Sequence, residues 1–297
     1  MPYNLHQLDT FTAINLEDLF ASFGWTVRSH YARLLRGLFL QPARTFARHM
    51  VAFDDAIGGR GLAEASRLLQ RNYVKDVRVY GLDRLPAGPI LALSNHPGMT
   101  DTVSLFLALN RPDLKIIALK RPFLEALTNM SRQLFFVLEE PAARMSLVRR
   151  VSAHLRGGGA ILTFPAGRIE PDPNVYPGAV ESLADWTDSV GVFVRMAPGT
   201  VVVPLVVRGV VWEKAARSPL LALKRGREEK ERLASALQLL AMILFGIRPV
   251  TVTVQIGRPV DPSALGTRDV RAIHDAVLAE MRYLIENPPE GPGESAL

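Results

Sequence analysis

The segment SNHPGMTD, residues 94–101, places His96 and Asp101 five positions apart. A carboxylate bonded to one imidazole nitrogen fixes the tautomer and leaves the other nitrogen able to take a proton from a hydroxyl. The same carboxylate would stabilise the imidazolium once it forms. The two residues could therefore act as a general base and its orienting partner. The alternative is that His96 only caps a helix while Asp101 binds a neighbouring arginine.

A second segment, HMVAFD, shows that this spacing does not by itself identify a site. Nothing that breaks a helix separates His49 from Asp54. Residues five apart in a continuous helix are rotated by about 140° net, so these two side chains should point apart. Pro97 directly follows His96, and proline is favoured at the first helical position. We therefore predict that His96 is the N-cap of a helix and that its ring turns back toward the aspartate.

Short apolar and β-branched runs alternate with helical patterns along most of the chain. This alternation predicts an α/β fold with a largely parallel or mixed central sheet, helices on both faces and amphipathic helices preceding it. The predicted strands are Val77 to Tyr80, Ile90 to Leu93, Lys115 to Leu119, Leu134 to Leu138, Ala160 to Phe164, Val201 to Val207 and Val250 to Ile256. The predicted helices among them are Thr102 to Asn110, Arg144 to Leu155, Gly178 to Asp188 and Glu229 to Phe245.

The chain is predicted to have three regions. Residues 1–71 read as helical and membrane-associating, with breaks at Gln41-Pro42 and Gly58-Gly59. Residues 72–286 form the predicted α/β domain, and the Pro/Gly-rich tail over 287–297 is predicted to be disordered.

Polar segments follow three of the predicted strands, where the chemistry of such folds gathers. SNHPGMTD follows the second strand, KRP the third and PAGRIEPD the fifth. Lys120, Arg121 and Arg168 lie in the last two of these segments, and Gly167 permits a close approach of the backbone. Together they would suit a phosphate or another anionic group. The alternative is that they are rim charges paired with neighbouring carboxylates: Glu125, Glu170 and Asp172.

Composition and charge narrow the classes of partner. The chain of 297 residues has no cysteine, which excludes disulfides and thiolate metal sites, and neither a metal nor another cofactor is expected. The net charge of +6 favours an acidic partner, and no recognised nucleic-acid-binding motif accompanies it. From Leu19 to Phe53 there is no Asp or Glu, and arginines lie among leucines and phenylalanines. This pattern favours either a basic helix on an anionic membrane or a solvated helical face.

SNHPGMTD resembles the Asn-His-x-x-x-x-Asp motif of the glycerolipid acyltransferases, which include the lysophosphatidic acid acyltransferases. The lead-in YGLDRLPAGPILALSNHPG resembles the family's order of strand, Gly-Leu, Pro-Gly, strand and Asn-His. FPAGR resembles its Phe-Pro-Glu-Gly-Thr-Arg motif, and VVVPLVVRG, around Pro204, resembles its later Val-Pro strand. The resemblance covers roughly Val77 to Gly209.

The resemblance implies transfer of a fatty acyl group from acyl-CoA or an acyl-carrier protein to a hydroxyl of a lysophospholipid or glycerol-phosphate-type acceptor. By this resemblance His96 is the general base, Asp101 orients it, and Lys120 and Arg168 bind the acceptor phosphate. It also implies a peripheral membrane protein, which we expect at the cytoplasmic face. The residues expected to bind substrate are Asn95, Lys120, Arg121, Arg144, Phe164, Pro165, Gly167, Arg168, Glu170 and Pro204.

The departures from the family pattern concern the acceptor site. Ala166 stands where the family has Glu, with Glu170 as a candidate replacement, and Arg168 follows the glycine with no Thr between them. LFFVLEE ends in Glu139-Glu140 where the family has Asp-Arg, which leaves Arg144 as the nearest substitute. These departures leave open a glycolipid, an aminolipid or another lysophospholipid as acceptor. A non-catalytic lipid-binding protein with the same fold is the alternative of a different class.

Overall fold

The computed structural model describes residues 5–26, 28–98, 100–138, 140–266 and 269–297. The helices are α1 Leu5–Ser22, α2 His30–Arg60, α3 Leu62–Gln70, α4 Asp101–Leu109, α5 Pro122–Ala126, α6 Thr128–Ser131, α7 Pro141–Arg156, α8 Ser189–Met196, α9 Glu213–Ala216, α10 Arg227–Phe245 and α11 Val270–Glu286. The strands are β1 Asp76–Tyr80, β2 Ile90–Ser94, β3 Lys115–Leu119, β4 Leu134–Val137, β5 Ala160–Thr163, β6 Val201–Arg208, β7 Thr251–Ile256 and β8 Glu294–Ser295. Short 3-10 turns occupy Leu82–Arg84, Glu181–Asp185 and Pro219–Leu223.

The chain forms two compact units that differ from the predicted regions. The helical unit comprises the chain up to Lys75 together with Arg121–Arg132 and Val211–Val250. The α/β unit comprises Asp76–Lys120, Gln133–Val210 and Thr251–Leu297. The structure therefore assigns to the helical unit two segments that the sequence placed within the α/β domain.

Within the described residues, eight strands of the α/β unit form one mixed sheet in the order β4-β3-β5-β2-β6-β7-β1-β8. Most neighbouring strands are parallel, whereas β6 pairs antiparallel with β7 and β1 pairs antiparallel with β8. β2 lies near the centre and is buried throughout, as its unbroken apolar run predicts for a strand covered on both sides. The predicted α/β fold with preceding N-terminal helices is confirmed.

The final residues pair with the sheet instead of forming the disordered tail that their composition predicted. Glu294–Ser295 lie beside Arg78 and Val79 of β1. The hydroxyl of Tyr80 donates a hydrogen bond of 2.8 Å to the carbonyl of Gly291. An open sheet edge supplies unpaired backbone groups, so even a Pro/Gly-rich segment can be held there.

In the helical unit, α1 and α2 pack as an antiparallel pair. The rings of Phe20 and Phe39 meet edge to face at 5.6 Å, and the Asn15 amide donates to the Ala43 carbonyl at 3.3 Å. The break predicted at Gln41-Pro42 is wrong, because α2 continues through Pro42. Proline cannot donate to the carbonyl of Leu38, but Leu38 is exposed and water can satisfy that group. Among the described residues, no helix is both long and apolar enough to cross a membrane.

Candidate active site

The loop between β2 and α4 brings His96 and Asp101 together. His96 Nδ1 lies 2.8 Å from Asp101 Oδ2, so the predicted contact is present. The predicted N-cap is wrong, because α4 begins at Asp101 with Thr100 as its N-cap. Gly98 has a φ of 87°, a left-handed conformation that a helix starting at Pro97 could not contain. Met99 lies outside the described residues.

The Asp101 carboxylate is held on both oxygens. Oδ2, which faces His96, also accepts a hydrogen bond of 2.7 Å from the Gly98 backbone N–H. Oδ1 accepts hydrogen bonds from the backbone N–H and the hydroxyl of Thr102. The side chain of Asp101 is only 1% exposed, so the carboxylate has a fixed position from which it can orient the imidazole.

The imidazole of His96 is fixed on a second side by an aromatic ring. It stacks on Phe164 with ring centroids 4.3 Å apart and an interplanar angle of 28°. Because a carboxylate can only accept, the hydrogen of the neutral imidazole belongs on Nδ1, and Nε2 faces away from Asp101 as the basic nitrogen. The His96 side chain remains 28% exposed, so a substrate can reach the ring. Phe164, predicted to bind substrate, thus contacts the candidate base.

The backbone of His96 is clamped by Glu170. The His96 N–H donates to Glu170 Oε2 at 3.0 Å, and the Glu170 N–H donates to the His96 carbonyl at 2.8 Å. Glu170 Oε1 accepts hydrogen bonds from the Ser182 hydroxyl at 3.1 Å and from Trp186 Nε1 at 2.8 Å. Burial raises the pKa of the Glu170 carboxyl, and the hydrogen bonds from Trp186, Ser182 and the His96 backbone partly offset this. Glu170 was predicted to bind substrate, but it is buried with both oxygens engaged and anchors the loop instead.

Asn95 and Pro204 also support the site from within. The Asn95 amide donates to the Val207 carbonyl at 2.9 Å, and its oxygen accepts from the Val207 N–H at 2.8 Å. Asn95 therefore joins the loop to β6 as a further rung of the sheet, and the predicted substrate contact is replaced by this internal one. Pro204 is buried in β6 beside Leu93, and its carbonyl accepts from the Gly257 N–H at 2.9 Å.

The segment after β5 makes a tight turn. The Gly167 N–H donates to the Phe164 carbonyl at 3.0 Å, and its φ of 64° is one that glycine adopts without strain. Pro165 is buried, and its carbonyl accepts from the Thr187 N–H. Arg168 is exposed and forms an ion pair with Asp185, which differs from the carboxylates that the sequence suggested as partners. Ala166 is half-buried and packs against the hydrophobic core.

Exposed cations follow the carboxyl ends of neighbouring strands. Lys120 directly follows β3, and Arg144 lies in the first turns of α7, which follows β4. Parallel pairing places these ends at the same edge of the sheet as His96. Glu140 is the N-cap of α7, and Glu139 lies outside the described residues.

Arg121 belongs to the helical unit, not to the unit that carries the candidate base. Burial raises the pKa of Asp18 there, and the charge of Arg121 partly offsets this. No contact described within the α/β unit tests the predicted role of Arg121 in substrate binding, which stays a prediction.

The other His–Asp pair diverges, as the sequence predicted. His49 Nδ1 lies 2.7 Å from the Tyr73 hydroxyl. The Asp54 carboxylate instead accepts the backbone N–H groups of Asn129 and Met130 at 3.0 and 2.8 Å. Both residues therefore serve the packing of the helical unit.

Three supporting residues were missed by sequence reasoning. Ser182 and Trp186 hold Glu170, and the buried Asp172 accepts the backbone N–H groups of Gly209 and Val210 at 2.9 and 2.8 Å. The one available signal was two carboxylates, Glu170 and Asp172, in a short segment directly after a buried strand. Among the described side chains, no group of three or more His, Asp or Glu residues could hold a metal ion.

One comparison with known proteins covers the site. Residues 76–208, which contain both His96 and Asp101, match the family model described as Acyltransferase. This segment, rather than the whole chain, is therefore assigned to the acyltransferase family. The resemblance inferred from SNHPGMTD and its companion motifs is therefore confirmed over this segment.

A solved structure of similar extent gives a more distant match to this chain. It is the 1-acyl-sn-glycerophosphate (LPA) acyltransferase PlsC from Thermotoga maritima, with 17% identity and a TM-score of 0.42. The match covers 95% of this chain and 96% of that one. Among curated proteins, none matches this sequence significantly.

Proposed function

We propose that this protein moves a fatty acyl group from an acyl thioester to a hydroxyl of a lysophospholipid or glycerol-phosphate-type acceptor, with His96 as general base. The thioester is acyl-CoA or an acyl-carrier protein. The observation that carries the proposal is the 2.8 Å contact between His96 Nδ1 and a fully buried Asp101 carboxylate, beside a ring that substrate can reach.

The proposed reaction proceeds in two steps. His96 Nε2 takes the proton of the acceptor hydroxyl while the hydroxyl oxygen attacks the thioester carbonyl carbon. Asp101, bonded to Nδ1, stabilises the imidazolium that forms. When the tetrahedral intermediate collapses, the carbon–sulfur bond breaks and the sulfur leaves with the proton from Nε2. The products are an acyl ester and a free thiol.

The acceptor is proposed to carry a phosphate because of the cations at the edge of the sheet. Lys120 and Arg144 are exposed there. Arg168 is held by Asp185 in an exposed ion pair, and such pairs contribute only about 0–1 kcal/mol, so an acceptor phosphate could replace the carboxylate. The replacement of the family's Glu by Ala166 favours, as the second candidate, the same chemistry on a glycolipid or aminolipid.

The enzyme is also proposed to associate peripherally with an anionic membrane, at the cytoplasmic face. Arg28, Arg33 and Arg36 are exposed at the start of α2 and just before it, with Leu34 and Leu38 exposed among them. This arrangement suits a helix lying on anionic lipid headgroups, where lipid acceptors are located.

The test is an assay of thiol release from acyl-CoA or acyl-carrier protein with a panel of acceptors in detergent, followed by mass spectrometry of the lipids. Thiol release that depends on one phosphate-bearing acceptor, with a matching acylated product, supports the proposal. Acceptor-dependent release with only a glycolipid or aminolipid would establish the second candidate. Release to water alone would indicate a thioesterase, and no release with any donor would indicate a lipid-binding protein without this activity.

A further inference from the structure

The 3-10 turn Pro219–Leu223 presents leucines outward from an ordered backbone. Leu220 is 47% exposed and Leu223 is 78% exposed, whereas Leu221 is buried against Leu233. The Ser218 hydroxyl oxygen accepts a hydrogen bond from the Leu220 N–H, and the Leu221 carbonyl accepts one from the Lys224 N–H at 3.0 Å. The backbone that carries the two exposed leucines is therefore fixed by the Ser218 cap, by the hydrogen bond from Lys224 and by the burial of Leu221.

Within the helical unit, this turn lies beside the residues that directly follow α1. Phe23 packs against the buried cluster of Leu221, Leu233 and Ala234, and its ring centroid lies 5.3 Å from that of Phe39 in α2. A Cβ built on Gly24 would lie 2.6 Å from Lys224 Nζ, so the residues that follow the 3-10 turn lie close to the loop that precedes α2. We call the exposed leucines of this turn and of the first part of α2 the leucine surface: Leu34 (82% exposed), Leu38 (61%), Leu220 and Leu223.

Cationic residues adjoin both segments of the leucine surface in the sequence, and Glu228 and Glu229 follow them in the first turn of α10. Residues 218–227 contain Lys224, Arg225 and Arg227 and no Asp or Glu, and the segment Leu19–Phe53 also lacks both acids. Arg227 forms an ion pair with Glu231 of α10, whereas Arg225, two residues after the turn, is exposed. Single exposed leucines are ordinary, but exposed leucines from two segments among cations match a surface that meets both acyl chains and anionic headgroups.

We propose that Pro219–Leu223 is a second lipid-contact segment, which binds an anionic bilayer jointly with the start of α2. The sequence alone indicated the N-terminal region over residues 1–71 for this contact, and Leu19–Phe53 most strongly within it. Leu220 and Leu223 enter the boundary between headgroups and acyl chains, and Lys224 and Arg225 lie among the lipid phosphates. The inference rests on the proposed membrane association and adds a segment to it, and it does not depend on acyl transfer.

The experiment measures binding of the full chain to sedimenting vesicles, without any acyl donor. One set of vesicles is phosphatidylcholine alone, and the other is equal parts phosphatidylcholine and phosphatidylglycerol. The variants are Leu220→Ser/Leu223→Ser and Lys224→Gln/Arg225→Gln. The matched control is Leu265→Ser, because Leu265 is about as exposed as Leu220 but belongs to the α/β unit. Circular dichroism and thermal unfolding verify that each variant is folded.

We expect the wild type to prefer the anionic vesicles. The double leucine variant should bind them at least tenfold more weakly, and the double charge variant about 25-fold more weakly at low ionic strength, at about fivefold per cation. Leu265→Ser should bind like the wild type.

Three outcomes would overturn the inference. If both turn variants bind as the wild type does, the turn is not a lipid contact, although membrane association through α2 stands. If the wild type binds neither kind of vesicle, membrane association fails as well. If the leucine variant changes the sedimentation mass of the protein but not its vesicle binding, the occupant of this surface is a second copy of the chain.

Discussion

Replacing Glu170 with Gln should separate its anchoring of the catalytic loop from its contribution to stability. The carboxylate accepts three hydrogen bonds, from the His96 N–H on Oε2 and from Ser182 and Trp186 on Oε1. Gln has one oxygen acceptor and one NH₂ donor. If the oxygen remains with Ser182 and Trp186, the NH₂ group faces the His96 N–H, and two donors then oppose each other.

The expected losses of stability and activity in Glu170→Gln follow from these contacts. A buried N–H group left without an acceptor costs about 1–3 kcal/mol, so Glu170→Gln should lower the free energy of unfolding by about 2 kcal/mol. Because the lost bond fixes the backbone of the candidate base, kcat/KM should also fall about tenfold. Trp186→Phe is the matched control, since it removes one donor from Oε1 and leaves the bond to His96 intact.

The assays are urea denaturation and the rate of acyl transfer under subsaturating conditions. Trp186→Phe should lose a similar amount of stability and keep kcat/KM within about twofold. If Glu170→Gln is destabilised but retains the activity of Trp186→Phe, then Glu170 only stabilises the fold and the anchoring argument is refuted.

The difference in stability between the wild type and Glu170→Gln should change with pH in a definite direction. Because burial raises the pKa of Glu170 above its ordinary value of 4.5, the folded protein keeps this proton at pH values where the unfolded chain has lost it. The contribution of Glu170 to stability is therefore full below pH 4.5 and declines as pH rises toward the raised pKa. The stability gap between wild type and Glu170→Gln should shrink over that window, and a gap that widened would contradict the burial of the charged form.

Two further predictions concern the residues around the base and the acceptor. Asp101→Asn keeps the shape of the side chain but removes the charge that stabilises the imidazolium. We therefore expect kcat to fall about 10²- to 10⁴-fold in steady-state assays. A loss below tenfold would exclude Asp101 as the orienting group. Arg168→Ala should raise the KM for a phosphate-bearing acceptor about tenfold and change the free energy of unfolding by less than about 1 kcal/mol, because its partner Asp185 is also exposed. If that KM is unchanged, or rises equally for an acceptor without phosphate, Arg168 does not bind the phosphate.

Much of the fold could be predicted because buried strands have a simple signature. All seven predicted strands are present with ends shifted by at most one residue, since short apolar runs bounded by turns have few alternatives. Their carboxyl ends then indicated where His96, Lys120 and Arg168 should gather. The contact between His96 and Asp101 was predicted correctly, although through a helix start that Gly98 rules out.

The supporting contacts could not be predicted, because they depend on segments that are distant in sequence. Asn95 was expected to bind substrate, yet its partner is the backbone of Val207 on another strand. Glu170 is held by donors from a stretch predicted as one helix, Gly178 to Asp188. That stretch is instead the 3-10 turn Glu181–Asp185, with α8 starting beyond it. A buried carboxylate that takes two side-chain donors favours this irregular backbone, and local periodicity carries no information about it.

The most direct test of the account is the rate of acyl transfer by His96→Ala in a single-turnover assay with acyl thioester and acceptor. His49→Ala is the matched control, because it also removes a histidine five residues before an aspartate. General-base catalysis by His96 predicts a loss of about 10²- to 10⁴-fold for His96→Ala, with an unchanged circular dichroism spectrum, and a wild-type rate for a folded His49→Ala. Acyl transfer by folded His96→Ala at the wild-type rate would contradict the account.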